Sequence, residues 1–230
     1  MTSKIIDRAD SAAEWYADKP IIRALANLIP CNVGSAADIW LVEHVTKIKQ
    51  RRAKAFFDEL ARGDTVLTQE LIESEDFIHS FICTARAALN TKHDEKIRMF
   101  ARLIINGIRY DNSIPSDDHE EIIGIIDELY HREWQALLVF QRNLENQPLC
   151  DNGLQRIQSF WKAFSEELYS SLGVPVSETS SFMIRIARTG LFHEITGSYF
   201  GYGGGLGMTT PRFQRVRKLI ETHIDENRSA

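Results

Sequence analysis

Leu154, Ile157, Phe160, Trp161, Phe164, Leu168 and Leu172 recur at three- and four-residue steps between Asp151 and Gly173. That spacing puts seven large apolar side chains on one face of a helix, and a stripe so wide has to be covered by other elements. Asp151 is placed to cap the helix, and Gly173-Val174-Pro175 to stop it. Ile157, Phe160, Trp161, Phe164 and Leu168 are therefore expected to be buried together, as core rather than as a cofactor box. The same period returns along the chain. It predicts a helix over 10–29 interrupted at Pro20, and a long one capped by Ser35 that carries Ile39, Val42, Val45, Ile48, Phe56 and Leu60. A helix capped by Thr68 is expected to break near Ser74-Glu75 and continue through Phe77, Phe81, Ala85 and Ala88. Ile97, Phe100, Ala101, Ile104 and Ile108 mark another, over Lys92–Tyr110. Ser116 opens a helix bearing Ile122, Ile125, Ile126 and Leu129, with a break at Tyr130-His131 before Trp134, Leu137 and Leu138. The fold class is mainly α. The Asp111–Ser116 loop is the expected boundary between an N-terminal helical region, 1–112, and a C-terminal one, 113–230.

The pattern changes after Ser177. Ser177 is placed to cap a helix through Phe182, Met183 and Ile186 to Thr189, where Gly190 provides a left-handed stop. Leu191–Ile195 reads as a short strand, Tyr199–Gly205 as a glycine-rich turn, and Leu206–Met208 as a returning strand. Thr210-Pro211 opens the last helix, with threonine as cap and proline at the first helical position. This order, with Arg188-Thr189-Gly190-Leu191-Phe192 and Met208-Thr209-Thr210-Pro211 at its joints, resembles a winged-helix half-domain. The resemblance implies a multi-helix bundle with a winged-helix-like C-terminal subdomain, 177–226, that contains a small β-hairpin.

Charge and cysteine usage narrow the setting. The formal net charge of −5 does not favour a general polyanion binder. Cys31, Cys83 and Cys150 form neither a CxxC pair nor an even disulfide framework, so a reducing cytoplasm is expected. The first residues lack the apolar core of a signal peptide. The most apolar early stretch, 20–45, is interrupted by Arg23, Pro30, Asp38, Glu43 and His44, unlike a membrane span of about 20 apolar residues.

Catalytic signatures are absent. His119-Glu120-Glu121 and His131-Arg132-Glu133 do not match HExxH, and His44, His79, His93, His193 and His223 are scattered, so no metal site is expected. The tract Gly201–Gly207 lacks the GK[ST] ending of a phosphate-binding loop. No serine nucleophile motif or catalytic thiol signature is present. The chain is expected to be neither an enzyme nor a cofactor protein.

A binding role remains. The winged-helix resemblance implies that the helix from Ser177 to Thr189 presents Thr179, Ser181, Arg185 and Arg188 to a partner, with Arg212 and Arg215 adding charge from the next helix. The stretch Glu194–Met208 holds no lysine or arginine, so a wing there would not grip phosphate. Tyr199 and Tyr202 would stack on bases or on a protein instead. Duplex DNA and a protein both stand as partners. Ala24–Pro30, Val33–Ser35, Lys49–Arg52, Phe56–Leu60 and Ile97–Ile104 are similar to segments of uncharacterised helical bacterial proteins, some linked to abortive infection. That resemblance implies a bacterial, phage-defence setting and carries over no catalytic residue. The expected function is thus a non-enzymatic binding protein acting through its C-terminus. The alternative is a membrane-directed effector that inserts the 20–45 segment, with Gly34, Ala36 and Ala37 as packing residues.

Overall fold

The computed structural model describes residues 39–63, 69–111, 116–148, 153–195 and 204–221. Expectations on the helix at 10–29, the Ser35, Thr68 and Asp151 caps, the 112–115 loop, Cys31, Cys150, Tyr199 and Tyr202 lie outside those residues. Most of the 20–45 segment lies outside them as well.

The described chain is mainly helical. In order it contains α1 (Ile39–Arg62), α2 (Gln69–Glu73), α3 (Glu75–Asn90), α4 (Asp94–Asp111), α5 (Ser116–Glu128), α6 (His131–Glu145) and α7 (Gly153–Leu172). A 3-10 turn at Val176–Glu178 leads into α8 (Thr179–Ala187), then β1 (Phe192–Glu194), β2 (Gly207–Thr209) and α9 (Pro211–Ile220). The described residues fall into two compact units, one within 39–127 together with 218–221 and the other within 128–217. No described helix is long and apolar enough to cross a membrane.

In the first unit α1, α3 and α4 pack on one another. The helical period decides which side chains meet: Phe56 from α1 and Phe77 and Phe81 from α3 form an edge-and-tilt aromatic cluster. Ile97, Phe100, Ala101, Leu103 and Ile104 of α4 are buried. The break expected near Ser74 is a cap: Ser74 Oγ accepts from the Phe77 N–H at 3.3 Å, which restarts the helix as α3. A buried carboxylate, Glu59, receives Arg102 Nε at 2.7 Å.

In the second unit α7 lies against α6. Ile157, Phe160, Phe164 and Leu168 are buried as their spacing predicts, while Trp161 is only half-buried. Phe140 of α6 sits at the centre, with the rings of Phe160, Phe164 and Phe192 edge-on to it at 5.3–5.4 Å. Such pairs add to the burial of the rings themselves.

The β-hairpin is antiparallel, in the register Phe192↔Thr209, His193↔Met208 and Glu194↔Gly207. Phe192 enters the core, whereas His193 and Met208 face solvent, the alternation a two-residue period demands. Gly190 stops α8 with φ 71°, and Thr210 Oγ1 accepts from the Phe213 N–H at 3.2 Å as the cap of α9. The expectation for Ser177 is corrected. Ser177 does not cap α8; it lies inside the 3-10 turn, because the helix starts only at Thr179 and no side chain caps it. The end of the glycine-rich stretch is tightly seated: Gly205 has φ 86°, and a Cβ there would fall 2.5 Å from Ser180 Cα. Its N–H donates to Glu194 Oε1 at 2.9 Å, so Glu194 at the end of β1 ties down the residue that leads into β2.

Candidate functional site

Two clusters of polar side chains stand out, one in each unit. In the second unit Glu133, in the first turn of α6, is fully buried yet charged. Its Oε1 accepts from Arg185 Nε at 2.8 Å and Arg188 Nη1 at 3.0 Å. Its Oε2 accepts from Arg188 Nη2 at 3.0 Å and from the Tyr130 N–H at 2.9 Å. Arg188 thereby grips the carboxylate with two parallel bonds, the strong fork arrangement. It also donates from Nε to Glu128 Oε1 at 2.7 Å. Burial pushes the Glu133 carboxyl up, but the hydrogen bonds from Arg188, the Tyr130 N–H and Arg185 outweigh it and hold the group below its ordinary range. The Glu133 hydrogen bond, with smaller help from Glu128, raises the Arg188 guanidinium further. Arg185 also stacks over the rings of Phe182 and Tyr130, at 5.0 and 5.8 Å.

These are the arginines that the sequence singled out for contact with a partner. In the folded chain they are engaged by acidic groups. Thr179 is 1 % exposed and its hydroxyl is buried without a hydrogen bond, so it touches no partner as the chain is folded. Ser181, Arg212 and Arg215 are exposed. Tyr199 and Tyr202 lie outside the described residues.

The second cluster was not expected. In the first unit His79 and Cys83 are one helical turn apart on α3, on the flank beside the buried Phe77 and Phe81. Glu120, in the second turn of α5, comes to meet them. Cys83 Sγ is 3.6 Å from His79 Nε2, and the same nitrogen is in hydrogen-bond contact with Glu120 Oε1. One ligating atom from each of the three residues lies within 4.8 Å of the others. His119 fixes the approach of α5. It is buried, and its Nε2 is 2.8 Å from Thr84 Oγ1, which donates to the Ser80 carbonyl at 2.7 Å. With the hydroxyl proton committed to that carbonyl, the ring must be the donor to Thr84. Burial, more than any neighbouring charge, lowers the His119 pKa to about 4. Cys83 is raised, first by burial and then by Glu120, with Arg86 opposing. An i, i+4 His–Cys pair was visible in the sequence, but the carboxylate that completes it is 41 residues from His79.

No protein-family model, curated protein or solved structure matches the chain.

Proposed function

We propose that this chain is a binding protein whose segment from α8 through the hairpin to the start of α9, read as a winged-helix-like unit, engages another protein rather than duplex DNA. The observation that carries this reading is the pairing of Arg185 and Arg188 with Glu133 and Glu128. Two guanidinium groups matched by two carboxylates leave that face without the positive charge that phosphate contacts need. Freeing both arginines for DNA would leave the buried Glu133 carboxylate with only the Tyr130 N–H. Apolar side chains meanwhile reach solvent on the same segment, Ile184 at 42 % exposure and Met208 at 38 %. Apolar and polar side chains side by side suit a protein partner.

The test has two arms. Fluorescence anisotropy with duplex DNA at low salt should show no binding; salt-sensitive binding that Arg212→Ala and Arg215→Ala weaken would overturn the reading in favour of nucleic acid. A photo-crosslinking residue placed at Ile184 should give a discrete protein adduct in an extract of the source cells. The same residue at Tyr169, exposed on α7, should not.

A further inference from the structure

Three side chains of different chemistry converge where α3 meets α5, and two readings compete for them. A Cys–His–Glu catalytic relay uses both ring nitrogens, one toward the thiol and the other toward the carboxylate that orients the ring. Here the thiol and the carboxylate both address His79 Nε2. That leaves the ring without the separate orienting contact that a general base needs. Donor atoms that all face one another are instead the arrangement of ligands around a common centre.

The distances agree. With Zn–S about 2.3 Å and Zn–N about 2.0–2.1 Å at tetrahedral angles, sulfur and nitrogen stand about 3.6 Å apart. The Cys83–His79 separation is 3.6 Å. His79 and Cys83 at i, i+4 share one helix face, the spacing by which a single helix supplies two ligands. Glu120 needs only to open its hydrogen bond to His79 to admit an ion. Thiolate and imidazole select a borderline-soft ion over magnesium or calcium, which take oxygen ligands. A thiolate and a carboxylate also neutralise a dication.

We propose that His79, Cys83 and Glu120 bind one zinc ion that ties α3 to α5, with the fourth position open to water. Both His79 and Glu120 have about half of their side-chain surface exposed, so the ion reaches them from solvent. On binding, the Cys83 S–H is replaced by S–Zn and its proton goes to solvent. The imidazole carries its single proton on Nδ1, leaving the Nε2 lone pair for the metal. His119 and Thr84 touch no ion in this arrangement; they position the helix turn that carries Glu120.

The test uses the full chain with Cys31→Ser and Cys150→Ser, so that Cys83 is its only thiol, stripped with a chelator and titrated with zinc against a chromophoric competitor. One equivalent should bind. His79→Gln, Cys83→Ser and Glu120→Gln should each weaken it by more than the about 10–100-fold that loss of an outer partner costs. His193→Gln, an exposed histidine on β1, should change nothing. Cobalt in place of zinc should give a thiolate-to-metal charge-transfer band that Cys83→Ser abolishes. Zinc that binds equally well to all three variants, no zinc binding at all, or cobalt binding without the thiolate band would each overturn the site. Circular dichroism of each variant confirms that a loss reflects missing ligands rather than a missing fold.

Discussion

Glu133 and Glu120 both lie early in a helix and both meet residues from a distant part of the chain, but their surroundings are opposite. Glu133 is removed from water, and its two oxygens receive four donors. Nothing about it is left to offer a ligand. Glu120 is half-exposed and shares its hydrogen-bond partner, His79 Nε2, with the Cys83 thiol. A buried charge has to be fully partnered to be tolerated, so it reports on the fold. Exposed donors are under no such requirement, which is why the proposal for zinc rests on them.

The largest effect expected from this contrast follows from removing the partners of Glu133. Arg185→Ala with Arg188→Ala should destabilise the protein by about 3–5 kcal/mol in urea unfolding, because it leaves a buried carboxylate unpaired. This double variant therefore measures folding. The sign with pH is definite: the folded carboxyl is held below its ordinary value of about 4.5, so its stabilisation is present above that pH and is lost as pH falls through the lower folded value. A stability–pH curve of wild type that stays flat down to the acid limit would break the comparison.

A smaller effect belongs to His119. Its pKa falls from 6.5 to about 4 on folding, so the unfolded chain takes up a proton first as acid is added. The stability that goes with this shift is present in full above pH 6.5 and is lost between there and about pH 4, with an upper size of about 3 kcal/mol. In metal-free protein His119→Gln should flatten that window and leave the more acidic one of Glu133 in place. Chemical unfolding at stepped pH separates the two.

The smallest effect is the sharpest. Glu120→Gln in metal-free protein should change stability by about 0–1 kcal/mol, the range of exposed ion pairs. A loss of several kcal/mol in differential scanning calorimetry would place Glu120 with Glu133 as a structural group and remove the contrast.

What the sequence determined alone was whatever depends on neighbours three or four residues away. Four members of the stripe, Ile157, Phe160, Phe164 and Leu168, are buried because helical spacing gave them one face, whereas Trp161, expected to be buried with them, is only half-covered. Ser74, Gly190 and Thr210 act where their local chemistry placed them, since a cap or a left-handed stop needs only its own turn of chain. Ser177 failed that logic because a 3-10 turn delays the helix, between the buried Val174 and Thr179. Only the tertiary structure decided what the charges do. Arg185 and Arg188 are solvent-facing arginines on a helical wheel, and Glu133 lies 52 and 55 residues away from them. The His79–Cys83 pair was legible as a spacing and meaningless as one, since two ligands on one helix hold nothing firmly until a third arrives. Glu120 arrives because the apolar face of α5 is buried while His119 reaches Thr84, which brings a carboxylate 41 residues away to the same few ångströms. A helix period fixes which side of a helix is apolar; it has no information about which other helix will cover it.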